Sequence, residues 1–296
     1  MTAAEDGTQS MGGPAIFDFV IARVVINLVV LFGAYIGLQF AVAFVVHRLP
    51  KAGHDWFVLI GFAAIAGAMP ILYVALVRLL ERRRARELVF RPALALGGVV
   101  LGAVLFCTLY AALWIMGIAH WSGFSGNARI VFPFAIALGA AFGEELAFRG
   151  GVFRVLEDGF GTAVALVVSA VAFGLVHALN AGATIVSTLA IVLEAGAFLG
   201  LAYAATRSLW LPIGLHFGWN FTEGGIFGAL VSGRAYHGVF NFSVGGPDIL
   251  TGGAFGPEAS AVAVAISLAA SLVFAIVAIR NGRWKPLSSH WRLARS

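Results

Sequence analysis

Runs free of Asp, Glu, Lys and Arg cover residues 24–46, 56–77, 92–128, 159–193 and 259–279. A helix needs about 20 apolar residues to cross the hydrocarbon core of a bilayer, so each run holds at least one crossing. Dividing the longest runs at their Gly, Asn and Pro positions predicts about eight helices, at roughly 24–46, 56–78, 93–117, 130–157, 160–178, 184–205, 211–230 and 259–280. The runs are continuously apolar instead of alternating, which excludes a closed barrel of strands of about ten residues. The expected fold is all-α, a polytopic transmembrane bundle read as a single membrane domain over residues 1–296. Residues 1–17 are polar and small, and the first apolar run is too long for a signal-peptide core of about 7–15 residues. No cleavable signal is expected, and the first helix serves for targeting.

Composition removes the soluble alternative. Hydrophobic residues make up 60% of the chain and charged ones 11%, with a mean hydropathy of +0.95, where soluble domains carry about a quarter charged residues. Cys107 is the sole cysteine, so no disulfide framework exists. A net charge of +5 and a pI near 9.9 raise the question of nucleic acid, but the arginines flank apolar runs and read as topology determinants. Arg78, Arg82, Arg83, Arg84, Arg86 and Arg91, then Arg149 and Arg154, then Arg280, Arg283, Lys285, Arg292 and Arg295 fall on one side if the N-terminus is cytoplasmic. Arg48, Lys51, Arg129, Arg234 and the Gly-rich loop 231–257 fall on the other. Both termini are therefore expected in the cytoplasm, and the partners expected are the bilayer and membrane-borne substrates, not nucleic acid. The first 120 residues read as scaffold.

Candidate chemistry lies in the ionisable residues that interrupt the apolar segments. A charge at the bilayer centre costs about 2.5–3.5 kcal/mol on insertion scales, so such residues must face partners or water. Helix 4 holds Glu144, Glu145 and Arg149. Glu145 and Arg149, four apart with the acid first, share a face and are expected to pair, which leaves Glu144 free. Helix 5 holds His177, and helix 7 holds His216 and Asn220 on one face. If helices 4 and 5 form a hairpin turning near Gly159, Glu144 and His177 reach the same depth. Gly139 with Gly143, and Gly214 with Gly218, are pairs of small residues that permit close helix approach. Glu194 in helix 6 is a further intramembrane acid without an evident partner.

A Glu, two His and an Asn on three helices suit peptide hydrolysis. The carboxylate deprotonates water, a histidine shares the proton traffic, and His or Asn donors hold the oxyanion. No Gly-x-Ser-x-Gly, His-Glu-x-x-His or Gly-x-x-x-x-Gly-Lys motif supports a serine hydrolase, zincin or ATPase. The alternatives are a non-catalytic membrane immunity or scaffold protein of the same fold, and a proton-coupled transporter, for which paired broken helices in two halves are absent.

In order, Glu144-Glu145-x-x-x-Arg149, Phe173-x-x-x-His177 and His216-x-x-x-Asn220, with Ser208-Leu209-Trp210-Leu211-Pro212 before the last, resemble the CPBP family. This family comprises the CAAX prenyl proteases and bacteriocin-processing, or abortive-infection, enzymes. The likeness covers roughly residues 131–221, within the stretch of about 130–225 that holds the motifs. It implies an eight-helix intramembrane endopeptidase. Glu144 would activate water, His177 and His216 would line the site, Asn220 would hold the oxyanion, and Glu145 and Arg149 would support it. It also implies a membrane protein or lipidated peptide as substrate and, for so compact a chain, a bacterial plasma membrane.

Two questions follow. A Glu and two His are also a known ligand set for catalytic zinc, here Glu144, His177 and His216. A metal-free mechanism is expected instead, because the histidines come from separate helices and Asn220 is a good amide donor but a poor zinc ligand; a divalent metal such as zinc is the alternative cofactor. Depth is the second question. In this topology His216 lies near the start of helix 7 and His177 near the opposite end of helix 5, whereas one site needs them level. A tilted helix 6, a loop 207–212 dipping into the bilayer, or a protruding turn near Gly159 would each reconcile them.

Overall fold

The computed structural model describes residues 19–288, so Arg292, Arg295 and the segment 1–17 lie outside the described residues. Eight long helical segments are present among the described residues: α1 Val20–His47, α2 His54–Glu81, α3 Pro92–Ile115, α4 Val131–Phe160, α5 Thr162–His177, α6 Ile185–Thr206, α7 210–226 and α8 Ala261–Arg280. Six of them are long and apolar enough to cross a membrane; α5 and α7 are shorter. The chain is a multi-pass, all-α membrane bundle.

Local chemistry explains most boundaries. Pro92 opens α3 in the first turn, where no amide donor is needed. Thr184 and Ser187 form a reciprocal capping box before α6, and the Ser260 hydroxyl accepts from the Ala263 amide to start α8. Between α4 and α5, Gly161 has φ of +87°, and a Cβ there would strike the Pro286 carbonyl. The Gly-rich segment after α7, read from sequence as a loop, contains a strand. β2 (Phe240–Val244) pairs antiparallel with β1 (Ala119–Phe124), with Ala119 opposite Val244 and an irregularity between Trp121 and Gly123. Phe240 and Phe242 pack on Phe227, and Phe242 on Tyr110. The sheet thus closes one end of the bundle, and α7 stops at Ile226 instead of continuing to 230.

α4 stands at the centre: 61% of its apolar window is buried inside the protein, against 11% for α1. Within lipid no hydrophobic force draws apolar helices together, so close packing depends on small residues. α3 and α7 show this directly. A Cβ on Gly98 or Gly102 would collide with the backbone of α7 at Leu211 and Leu215, and one on Gly214 or Gly218 with that of α3 at Ala95 and Val99. Two small-xxx-small pairs therefore face each other, and the α3 pair went unread in the sequence. The glycines of α4 act differently, because each makes room for an aromatic ring: Phe62 over Gly139, Tyr35 over Gly143 and Tyr73 over Gly150.

Charged groups gather at the opposite end from the sheet. Arg154 binds Glu81, Glu87 accepts from Tyr73 and Arg83, Arg207 pairs with Glu157, and Lys285 with Asp158. This network joins the loop after α2, the end of α4 and the segment after α8, three regions the charge pattern groups on one side, with the α6–α7 loop. Two arginines depart from that reading. Arg149 is 0% exposed and Arg154 5%, so neither is a loop residue at the membrane surface.

The network also resolves the depth question. The Leu209 amide donates to the Glu87 carbonyl at 2.9 Å and the Trp210 indole to Leu88 at 3.1 Å, so α7 begins beside the Glu87 turn. Glu87 in turn lies against Arg154 of α4, so the loop before α7 is anchored on the bundle. At the other end, α5 is 16 residues long, about 24 Å, and stops before a crossing of about 30 Å is complete. His177 and His216 can then sit level.

Candidate active site

α4, α5 and α7 bring the three motifs together. The Glu144 Oε2 atom lies 3.8 Å from His177 Nε2 and 4.0 Å from His216 Nε2. Asn220, one turn beyond His216, lines the same cleft, which has a volume of about 730 Å³ and is walled by α1, α4, α5, α7 and the 231–236 turn. Glu144 is mostly buried, and its Oε2 has no hydrogen-bond partner within the protein. The gap between this oxygen and the two imidazoles is within the reach of one bridging water.

Both rings are held by their far nitrogens. The Phe173 carbonyl, which only accepts, lies 2.8 Å from His177 Nδ1, so Nδ1 carries a proton and Nε2 is the nitrogen that faces Glu144. Phe173 is the residue four positions earlier on α5, and its ring packs at 4.6 Å from the imidazole. His216 Nδ1 lies 2.9 Å from Glu145 Oε1, an arrangement in which the carboxylate fixes tautomer and orientation.

The same Glu145 oxygen accepts from Arg149 Nη1 at 2.8 Å, the pairing expected from their spacing. Both side chains are completely buried. Arg149 Nη2 also donates to the Ala195 and Gly196 carbonyls at 2.8 and 3.2 Å, and the guanidinium covers the Phe173 ring at 4.4 Å. Local backbone geometry makes these contacts possible. α4 widens into π-helix over Leu146–Phe153 and α6 over Val192–Ala197, and such turns shift the carbonyls away from their usual helical partners. Arg149 bridges the two widened turns, so Glu145 and Arg149 tie α4, α6 and α7 together.

Tyr35 and the 231–236 turn escaped the sequence reading. Tyr35, from α1 and thus from the region read as scaffold, is buried with its hydroxyl against the Glu144 carboxylate. Its only trace in the sequence is Gly143, whose missing side chain leaves room for the phenol ring. The 231–236 turn adds Ser232, Arg234 and Tyr236 to the cleft wall. A smaller space of about 30 Å³ adjoins the histidines, lined by Glu194, Glu258 and Trp219 together with His177, His216 and Asn220. Glu194, singled out in the sequence without a partner, lines this smaller space and not the larger cleft.

With respect to metal, the imidazole Nε2 atoms of His177 and His216 and the Glu144 carboxylate face one another. Among the described residues, no group of three or more His, Cys, Asp or Glu side chains is arranged to hold a metal ion. The 3.8 and 4.0 Å separations fit hydrogen bonding through water.

Residues 126–222 match the family described as type II CAAX prenyl endopeptidase Rce1-like, in agreement with the CPBP resemblance of the motifs. The matched segment is about a third of the chain and contains all three motifs. No curated protein and no solved structure matches the chain.

Proposed function

On the premise of that match to an intramembrane protease family, we propose that this chain is an endopeptidase that hydrolyses membrane-associated proteins or peptides with a water activated by Glu144. The observation that carries the reading is the convergence of the Glu144 carboxylate with two imidazoles whose outer nitrogens are both anchored. Anchoring fixes the directions in which the two Nε2 atoms act, as a proton-transfer site requires.

The steps follow from the chemistry of each group. Water between Glu144 and His177 attacks the scissile carbonyl carbon, and its proton passes to Glu144. The carbonyl oxygen becomes an oxyanion, which the Asn220 amide N–H and, when the ring carries its second proton, the His216 Nε2–H stabilise. Preorganised donors of this kind each contribute on the order of 10²–10³ in turnover. The intermediate collapses with cleavage of the C–N bond, and the proton held by Glu144, or relayed by His177, goes to the leaving amine. Tyr35 orients the carboxylate; Glu145 and Arg149 support His216.

The mechanism proposed is metal-free. Were zinc bound, Glu144, His177 and His216 would hold it, and it would supply a Lewis acid for the water; chelation would then abolish activity and stoichiometric zinc would restore it. The location proposed is a bacterial plasma membrane with both termini cytoplasmic. The test is a comparison of membrane peptides in cells carrying the wild type or Glu144→Gln. Peptides with new termini in the wild type alone support the proposal. A phenotype that persists in Glu144→Gln cells with no change in membrane peptides contradicts it and favours a non-catalytic immunity or scaffold role.

A further inference from the structure

The cleft that holds Glu144 and the histidines has one permanently charged cation on its wall among the described residues, Arg234. The same residue lines an adjoining apolar groove of about 510 Å³ between α1, α2 and α4. Tyr236 lies within hydrogen-bonding reach of Arg234. Arg129, at the same end of the bundle, is neutralised by Asp55 at 3.0 Å, whereas Arg234 has no carboxylate at ion-pairing distance among the described residues.

The backbone beneath Arg234 is a built feature. Val231 and Arg234 exchange both amide–carbonyl hydrogen bonds at 2.9 Å, and the two residues between them, Ser232 and Gly233, have φ of +49° and +80°. Positive φ at both central positions is the conformation of a type I′ turn. For Gly233 it is natural, and a Cβ there would run into the Ala181 carbonyl. For Ser232 it is unfavourable and is imposed from outside. Glu258, buried at the start of α8, accepts from both the Ser232 amide at 2.7 Å and its hydroxyl at 2.8 Å, while the Gly233 amide donates to Phe255 at 2.6 Å. A strained residue held by a buried carboxylate, at the wall of a cleft, points to function.

What the turn presents follows from its neighbours. Tyr35, Glu144, Arg234 and Tyr236 line one cleft, so the guanidinium and the general base face the same space. A planar guanidinium, with five N–H donors in a fixed fork, matches a carboxylate in bidentate geometry.

We propose that Arg234 and Tyr236, held by the Glu258-anchored turn, form a subsite that binds a carboxylate of the substrate and so sets where the peptide is cut. The inference rests on the endopeptidase reading for its consequence but not for its test. The carboxylate is either the free C-terminus of the peptide or an acidic side chain beside the scissile bond.

The test uses the full-length protein in neutral phosphatidylcholine vesicles. An apolar fluorescent peptide is supplied with a free C-terminus, with a C-terminal amide, or as the amide with one added Glu. Binding is measured on the uncleaving Glu144→Gln protein, with and without Arg234→Gln or Arg234→Lys. The free acid or the Glu peptide should bind about 10- to 100-fold more tightly than the plain amide, the difference expected of a charge-assisted hydrogen-bonded pair. Arg234→Gln should remove that preference and Arg234→Lys should keep part of it. Which acidic peptide shows the preference identifies the source of the carboxylate. Equal binding of all three peptides overturns the proposal, as does a preference that survives Arg234→Gln. An Arg234 effect confined to vesicles containing phosphatidylglycerol, equal for all peptides, also overturns it and assigns the arginine to lipid phosphate. Should Arg234→Gln fail to fold, the wild-type comparison and Arg234→Lys still decide. Carboxylate-dependent binding without any hydrolysis by the wild type would retain the subsite and refute the endopeptidase reading.

Discussion

Glu145→Gln separates structure from chemistry most sharply in this site. One Glu145 oxygen accepts from Arg149 at 2.8 Å and from His216 at 2.9 Å, and neither Glu145 nor Arg149 is exposed. Replacing the carboxylate by an amide keeps one acceptor for Arg149 but removes the charge directly paired with its buried guanidinium. Breaking a buried pair by removing one partner costs about 3–5 kcal/mol. For a chain of this size that corresponds to a fall in Tm on the order of 10 °C. Glu144→Gln should behave in the opposite way. Its Oε2 has no protein partner, so stability should change by less than about 1 kcal/mol while turnover falls by roughly 10²–10⁴, the usual contribution of a general base. The assay is thermal unfolding of both variants in one detergent, paired with initial rates on a membrane peptide. Adding Arg149→Met to Glu145→Gln should recover part of the lost stability, since the buried unpaired charge is gone. A Glu145→Gln protein with wild-type Tm and no activity would refute this reasoning and move Glu145 into the catalytic set.

Tyr35→Phe, which removes the hydroxyl lying against Glu144, should lower kcat about 10-fold with little change in KM or Tm; an unchanged kcat would take Tyr35 out of the site. Gly218→Ala sets a methyl against the Val99 backbone and should cost about 1–3 kcal/mol, whereas Gly97→Ala, with open space around it, should cost little; thermal unfolding compares them. Stability should also depend on acid. Burial alone would raise the Glu87 carboxyl, but its hydrogen bonds from Arg83 and the charges of Arg154 and Arg83 outweigh burial and hold it below its usual value. A depressed carboxylate stabilises the fold fully above its unfolded pKa of about 4.3, and that contribution disappears as pH falls through the lower folded value. Unfolding curves should therefore show a Tm loss in that acid window that is absent from Glu87→Gln, which should be the less stable protein at pH 7.

The residues differ in how readily the sequence betrays them, for physical reasons. The helices were legible because a hydrocarbon core demands long uncharged segments, and the ends of α4, α5 and α6 fall within a few residues of expectation. Glu144, His177, His216 and Asn220 stood out because polar groups are costly in lipid, and the Glu145–Arg149 pair followed from helical spacing alone. Tyr35 did not stand out, since a tyrosine in an apolar helix is ordinary and only the tertiary fold brings α1 against Gly143. The second partner of Glu145 was hidden for the same reason: His216 lies 71 residues away. The carbonyls of the widened turn in α6 find Arg149 across the bundle, a contact that no local pattern encodes. Arg234 was read as one more arginine outside the helices, because the Ser232–Glu258 contact that fixes its turn joins segments distant in the chain.

The central claim, that Glu144 delivers water to a peptide bond, is tested most directly with purified protein reconstituted in vesicles. Wild type and Glu144→Gln are incubated with a cleavable membrane peptide in ¹⁸O-labelled water with a metal chelator present, and the products are analysed by mass spectrometry. The account predicts one ¹⁸O atom in the new C-terminal carboxylate of the wild-type product and no product from Glu144→Gln. Equal amounts of labelled product from both proteins would contradict it.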